Sequence, residues 1–137
     1  MLFRSLGFQD DAVVRDHYRR CRALIFPGEE DFGLTPVEAQ ACGRPVIAYA
    51  AGGALETVLD GGTGVLFHEQ TADALVAAVR RFESLSFDAA RIRQWSLRFG
   101  RERFRQGIRD SVHRRYREYM HDFFRESVPP GADGTGG

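Results

Sequence analysis

Ala23-Leu24-Ile25-Phe26 is a short unbroken apolar run, the pattern of a buried parallel strand. Pro45 to Tyr49 and Val65-Leu66-Phe67 read as two more strands, and Leu2-Phe3, closed by Gly7, as a marginal fourth. Helical spacing fills the intervals. Asp11 to Arg20, capped by Asp10, carries Val13, Val14, His17 and Tyr18 on one face. A helix opens at Thr35-Pro36-Val37-Glu38 and closes at Gly43. Gly52-Gly53 leads into a helical turn over Ala54 to Leu59, and Asp60-Gly61-Gly62-Thr63-Gly64 is a turn. Thr71 to Phe82 stacks Leu75, Val76, Val79 and Phe82 on one side, and Asp88 caps a helix from Ala89 to Phe99. A long helix from Arg101 to Arg125 bears the stripe Phe104, Ile108, Val112, Tyr116, Tyr119 and Phe123. Strands alternating with helices predict an α/β fold with a parallel sheet. With three secure strands, that sheet reads as incomplete on its N-terminal side.

The chain has 137 residues, room for one modest domain. We expect the domain over residues 1–126 and a disordered tail, rich in Pro and Gly, over 127–137. A hydrophobic fraction of 43% against 28% charged excludes wholesale disorder. No apolar run reaches the roughly 18 residues of a membrane span. No apolar leader is evident at the N-terminus, so cytoplasm is the expected compartment. Cys21 and Cys42 stand in unrelated contexts, without the spacing of a zinc site or a disulfide scaffold. The net charge of zero hides a split: residues 1–79 hold six Arg against eleven acids, and residues 80–137 hold thirteen Arg against eight. There is no lysine, so chemistry that needs one must obtain it from another chain or segment.

The stretch from Phe26 to Gly64 carries the candidate chemistry. A strand ends at Phe26, and an acidic loop follows at its carboxyl end, where ligands bind in open α/β sheets. The helix opening at Thr35 offers free N–H groups and the positive end of its dipole to an anion. Gly33 lets a ligand approach the backbone. A phosphate-bearing ligand fits this geometry. Two carboxylates stand nearby, Glu30 on the loop and Glu38 on the helix. Each has a plainer reading. Thr35-x-x-Glu38 is a capping box, in which Glu38 accepts from the Thr35 N–H, and that is the favoured reading from spacing alone. Glu29-Glu30-Asp31 reads as a solvated loop. Acids beside a phosphate would repel it unless they serve sugar hydroxyls instead. Gly52-Gly53 reads equally as a ligand-shaping loop and as a plain strand-to-helix turn.

The same stretch resembles the signature of the retaining glycosyltransferases of family 4, the group 1 enzymes of GT-B fold. The matching positions are Phe26, Pro27, Glu30, Phe32, Gly33, Leu34, Pro36, Glu38, Ala39, Ala41, Gly43, Pro45, Val46, Ile47, Gly52, Gly53 and Glu56, continued by Asp60, Gly62 and Gly64. The resemblance covers roughly residues 1–125. It implies a Rossmann-like parallel sheet with flanking helices, the later part of a C-terminal donor-binding domain, and long C-terminal helices. It implies that Glu30 acts at the donor sugar, though the family has no settled carboxylate nucleophile and Glu30 is not given that role. Phe32, Gly33, Leu34 and Thr35 would meet the sugar and diphosphate, Glu38 the ribose, and Gly52 and Gly53 the neighbouring loop. It implies no bound metal and no cofactor beyond a nucleotide-sugar substrate, with GDP-mannose the first candidate. The acceptor would be a hydroxyl of a glycan or lipid-linked sugar. By the same resemblance, the N-terminal GT-B domain and the diphosphate-neutralising Arg and Lys lie before Met1. The chain alone is then expected to be inactive. The alternative is a non-catalytic remnant or interaction module that binds a nucleotide or a partner chain.

Arg101 to Arg117 holds seven Arg against Glu102 and Asp110. This face reads first as a contact with the missing domain, second as a peripheral contact at the inner membrane face, and not as a nucleic-acid site. Trp95 reads as core rather than as a sugar platform. The four histidines are scattered and are assigned no role.

Overall fold

A computed structural model describes residues 5–127. The expected strand at Leu2-Phe3 and residues 128–137 of the expected tail lie outside the described residues. The chain divides into two units, residues 1–99 and 100–137.

The first unit runs α1 (Asp11–Arg20), β1 (Leu24–Phe26), α2 (Leu34–Ala41), β2 (Val46–Tyr49), α3 (Ala54–Thr57), β3 (Gly64–Phe67), α4 (Ala72–Ser84), α5 (Ala89–Ser96) and a 3₁₀ turn, Leu97–Phe99. The strands form a parallel sheet in the order β1-β2-β3. Leu24 pairs with Val46, and Val46 with Gly64. Side-chain alternation then divides the core. Val46 and Ala48 face Ala39 of α2, Ala54 of α3 and Val58, with Tyr18, Leu24 and Phe26 at the margin. Ile47 faces Val65, Phe67 and Ala78 of α4, bordered by Leu75, Val79 and Phe82. The helix caps follow the sequence. Asp10 accepts from the Val13 N–H at 2.9 Å, the Thr71 hydroxyl from Ala74 at 3.2 Å, and Asp88 from Ala90 at 2.8 Å.

The structure corrects three expectations about packing. β1 is not a buried strand. It is the edge of the described sheet, and Ile25, on the face shared with Ile47, is 48% exposed. Val76 does not share the packed face of α4 and is half exposed. His17 lies exposed on α1, with Nδ1 2.9 Å from the Val13 carbonyl, while Val13, Val14 and Tyr18 turn inward.

The second unit is α6, Arg101–Ser127. Ser127, expected in the tail, is its last residue. Glu102 pairs with Arg105 at 3.2 Å, and Gln106 with Asp110 at 2.8 Å. The residues of the expected apolar stripe are exposed, from 50% at Phe123 to 68% at Phe104. The helical period was legible there, but it does not bury the stripe.

Candidate functional site

The sequence-predicted site lies at the carboxyl end of β1. The chain leaves Phe26 through Pro27 and Gly28 into the exposed acids Glu29, Glu30 and Asp31. It re-enters structure at Gly33, the N-cap of α2, with φ of 75° and ψ of 80°. That left-handed conformation favours glycine. Among the described residues no side chain caps the N-terminus of α2, so its first amides have no side-chain acceptor. The capping box expected at Thr35 and Glu38 is therefore not formed. The helix starts earlier, at Leu34, which puts Thr35 inside the first turn.

Glu38 has a different partner. Its Oε2 accepts from the Tyr18 hydroxyl at 3.4 Å. Burial pushes the Tyr18 phenol up to about 12, and the neighbouring Glu38 carboxylate adds to the rise. Glu38 also lines a cavity of about 290 Å³ between α1 and α2, with Asp11, Arg15, Tyr18 and Cys42 among its walls. Tyr18 entered the sequence reading only as an apolar face position. Its polar tip was the unused signal.

Glu30 and the glycine pair meet through the backbone. The Gly53 N–H donates to the Glu30 carbonyl at 2.8 Å. A Cβ on Gly52 would strike that carbonyl, and one on Gly53 would strike the Phe32 carbonyl and Cα. The two glycines thus admit the Glu30–Phe32 segment against the start of α3. This is a structural reason for both, stronger than that of a plain turn. Phe32 is held in turn by an edge-on contact with Phe99, ring centroids 5.8 Å apart. Leu34 is 66% exposed beside the uncapped α2 amides. The structure therefore gathers Glu30, Phe32, Gly33, Leu34, Gly52 and Gly53 around one loop. Glu38 sits apart, on the Tyr18 side of α2, and Glu30 is not among the walls of its cavity. Among the described residues, no three His, Cys, Asp or Glu side chains are grouped to hold a metal ion.

Most of the first unit matches a known family. The family described as "Glycosyl transferases group 1" matches residues 3–96. The chain belongs to this family. Among relatives of this group 1 chain, a D-inositol 3-phosphate glycosyltransferase of Geodermatophilus obscurus is 42% identical over 84 residues. That match covers 58% of the chain and 19% of the relative. The alpha-1,3/1,6-mannosyltransferase ALG2 of Dictyostelium discoideum is 50% identical over 54 residues, covering 39% of the chain and 13% of ALG2. Among solved structures, Anabaena HepE in complex with UDP-glucose superposes with a TM-score of 0.62 at 27% identity, over 79% of this chain and 31% of HepE. Sucrose-phosphate synthase from Thermosynechococcus elongatus superposes with a TM-score of 0.57 at 33% identity, over 85% and 30%. The chain thus spans about a fifth of the first curated relative and about a third of the solved structures. The Rossmann-like parallel sheet with flanking helices and a long C-terminal helix is the fold expected from the motif. No helix among the described residues is long and apolar enough to cross a membrane.

Proposed function

We propose that this chain supplies the donor side of a retaining glycosyl transfer from a nucleotide-diphosphate sugar to a hydroxyl acceptor. The observation that supports it most is α2, which opens at a left-handed Gly33 with no side-chain cap, beside the loop that carries Glu30. A diphosphate at the Gly33, Leu34 and Thr35 amides would meet oriented N–H dipoles where leaving-group charge develops. Glu30 would accept from hydroxyls of the transferred sugar, and Glu38 from the ribose, in competition with the Tyr18 hydroxyl. Gly52 and Gly53 would act through the loop they hold. No arginine stands between Arg22 and Arg44, so the loop and α2 bring no cation of their own to the diphosphate. The reading needs no metal or further cofactor. Mannosyl transfer from GDP-mannose, in polysaccharide or glycolipid assembly on the cytoplasmic side of a membrane, is the specific form we favour. The mannosyltransferase ALG2 among the relatives supports it.

Thermal unfolding with GDP, UDP, ADP and their sugars tests the reading. A ligand that binds only the folded state raises the midpoint. We expect one nucleoside diphosphate to raise it, and Glu38→Ala to reduce that shift well beyond its own effect on the unliganded midpoint. A midpoint that no nucleotide moves counts against a donor site in this chain.

A further inference from the structure

We propose a second ligand site, for a phosphate monoester, on the face of α5 that carries Arg91, Trp95 and Arg98. These positions are spaced i, i+4, i+7 and share one helical face that continues into the 3₁₀ turn. With Gln94 they form one wall of a cavity of about 370 Å³, closed opposite by Leu59 and Thr63 of the turn before β3. That volume suits a small organic anion. No residue of the Phe26–Glu38 stretch lines it, and neither do Gly52 and Gly53.

The wall is held in place from beneath. The Trp95 indole N–H donates to the Thr57 carbonyl at 2.9 Å, and the same carbonyl accepts from buried Gln40 Nε2 at 3.0 Å. The Arg98 guanidinium lies over the indole ring, 4.2 Å from its centroid. The charge is one-sided. The cavity has two guanidinium groups and no carboxylate in its walls. Among the described residues, neither Arg91 nor Arg98 has an acid within ion-pair distance. Asp60, next in sequence to Leu59, is already engaged by Arg81 at 2.8 and 2.9 Å. The Gly62 and Thr63 amides both donate to the Leu59 carbonyl, so an anion must be held by side chains. Two planar, permanently charged forks match the charge and oxygens of a phosphate monoester, with Gln94 as a neutral donor and Leu59 facing the organic remainder. The phosphate can come from a free metabolite or from a lipid headgroup.

Trp95 is the only tryptophan in the chain, so its fluorescence reports on this cavity. The full chain is titrated with glycerol 3-phosphate, with glycerol at matched ionic strength, and with vesicles of phosphatidic acid or of phosphatidylcholine. We expect a saturable response to the phosphate ester. Arg91→Gln, which leaves the Arg98–Trp95 contact intact, should weaken it about tenfold. Arg91→Gln with Arg98→Gln should abolish it, and Arg80→Gln should leave it unchanged. A response to glycerol 3-phosphate assigns a free metabolite. A response confined to phosphatidic acid, and lost in the double variant, assigns a lipid headgroup. No saturable response to either, or one that the double variant retains at an unchanged melting midpoint, overturns the site.

Discussion

The loop after β1 and the outer face of α5 are both exposed and charged, yet they are held by different means. The loop is acidic, through Glu29, Glu30 and Asp31, and is fixed by its backbone: Gly53 donates to Glu30, and Gly52 and Gly53 leave room for nothing but main chain. The α5 face is basic, through Arg91 and Arg98, and is fixed by side chains, with the Trp95 indole bonded to Thr57 and Arg98 over its ring. The difference bears on tolerance. A backbone contact against glycine has no slack, because a single added carbon must displace a carbonyl. A side-chain contact can lose one atom and repack.

Substitution of Gly53 by alanine puts that contrast under the greatest load. Its φ of −63° and ψ of −18° are ordinary for any residue, so backbone strain contributes nothing. Only the clash with Phe32 does, and it involves main-chain atoms that cannot rotate away. Gly53→Ala should cost about 3 kcal/mol in urea unfolding and displace the Glu30 loop. Gly28→Ala, four residues from Phe32 and with nothing within 4 Å of the added carbon, should stay within about 0.5 kcal/mol. Equal effects of the two would mean that the loop is not held through its backbone.

Trp95→Phe applies the same question to α5. It deletes the indole N–H and keeps an aromatic ring under Arg98. The Thr57 carbonyl is not orphaned, because Gln40 still donates to it. Loss of one such bond should cost about 1 kcal/mol, clearly less than Gly53→Ala. Unfolding in urea checks the ranking.

This contrast also separates what could be read from the sequence. Gly52 and Gly53 mark close backbone approaches and Gly33 a left-handed turn, and a glycine at fixed spacing advertises both, so the loop and the family signature were legible. So were the helix caps at Asp10 and Asp88, since each is a local arrangement of side chain and amide, while Thr71, read as the first helical residue, proves to be the cap of α4. The capping box at Thr35 was misread because local spacing could not tell that the cap would fall at Gly33, two residues earlier. Tyr18 with Glu38, and Arg91 with Leu59 and Thr63, join segments whose approach depends on how helices pack on the sheet. No period or motif encodes that approach. Ile25 was read as buried because an apolar run specifies a strand but not whether both of its faces are covered.

The smallest effect concerns the turn that backs the α5 cavity. Asp60 accepts from the Leu66 N–H at 2.9 Å and from both Arg81 nitrogens, tying the turn to β3 and α4. The Arg81 hydrogen bonds hold the Asp60 carboxyl below its ordinary value, aided by the Leu66 N–H and opposed by partial burial. With the folded value depressed, the folded chain binds the proton less readily than the unfolded one. The stabilisation is therefore present above the ordinary aspartate range, near pH 4, and is lost as pH falls through the folded value. Both partners are more than a third exposed, which limits the pair to less than about 1 kcal/mol. Asp60→Asn should lower the melting midpoint slightly at pH 7 and converge with the parent chain as pH falls through the folded value. Raising the salt should shrink the gap at pH 7, since a pair this exposed is screened. If Asp60→Asn instead left no gap at pH 7, the Leu66 N–H bond, which the asparagine oxygen can keep, rather than the Arg81 charge would be what Asp60 contributes. The turn would then resemble the Glu30 loop in being held through its backbone.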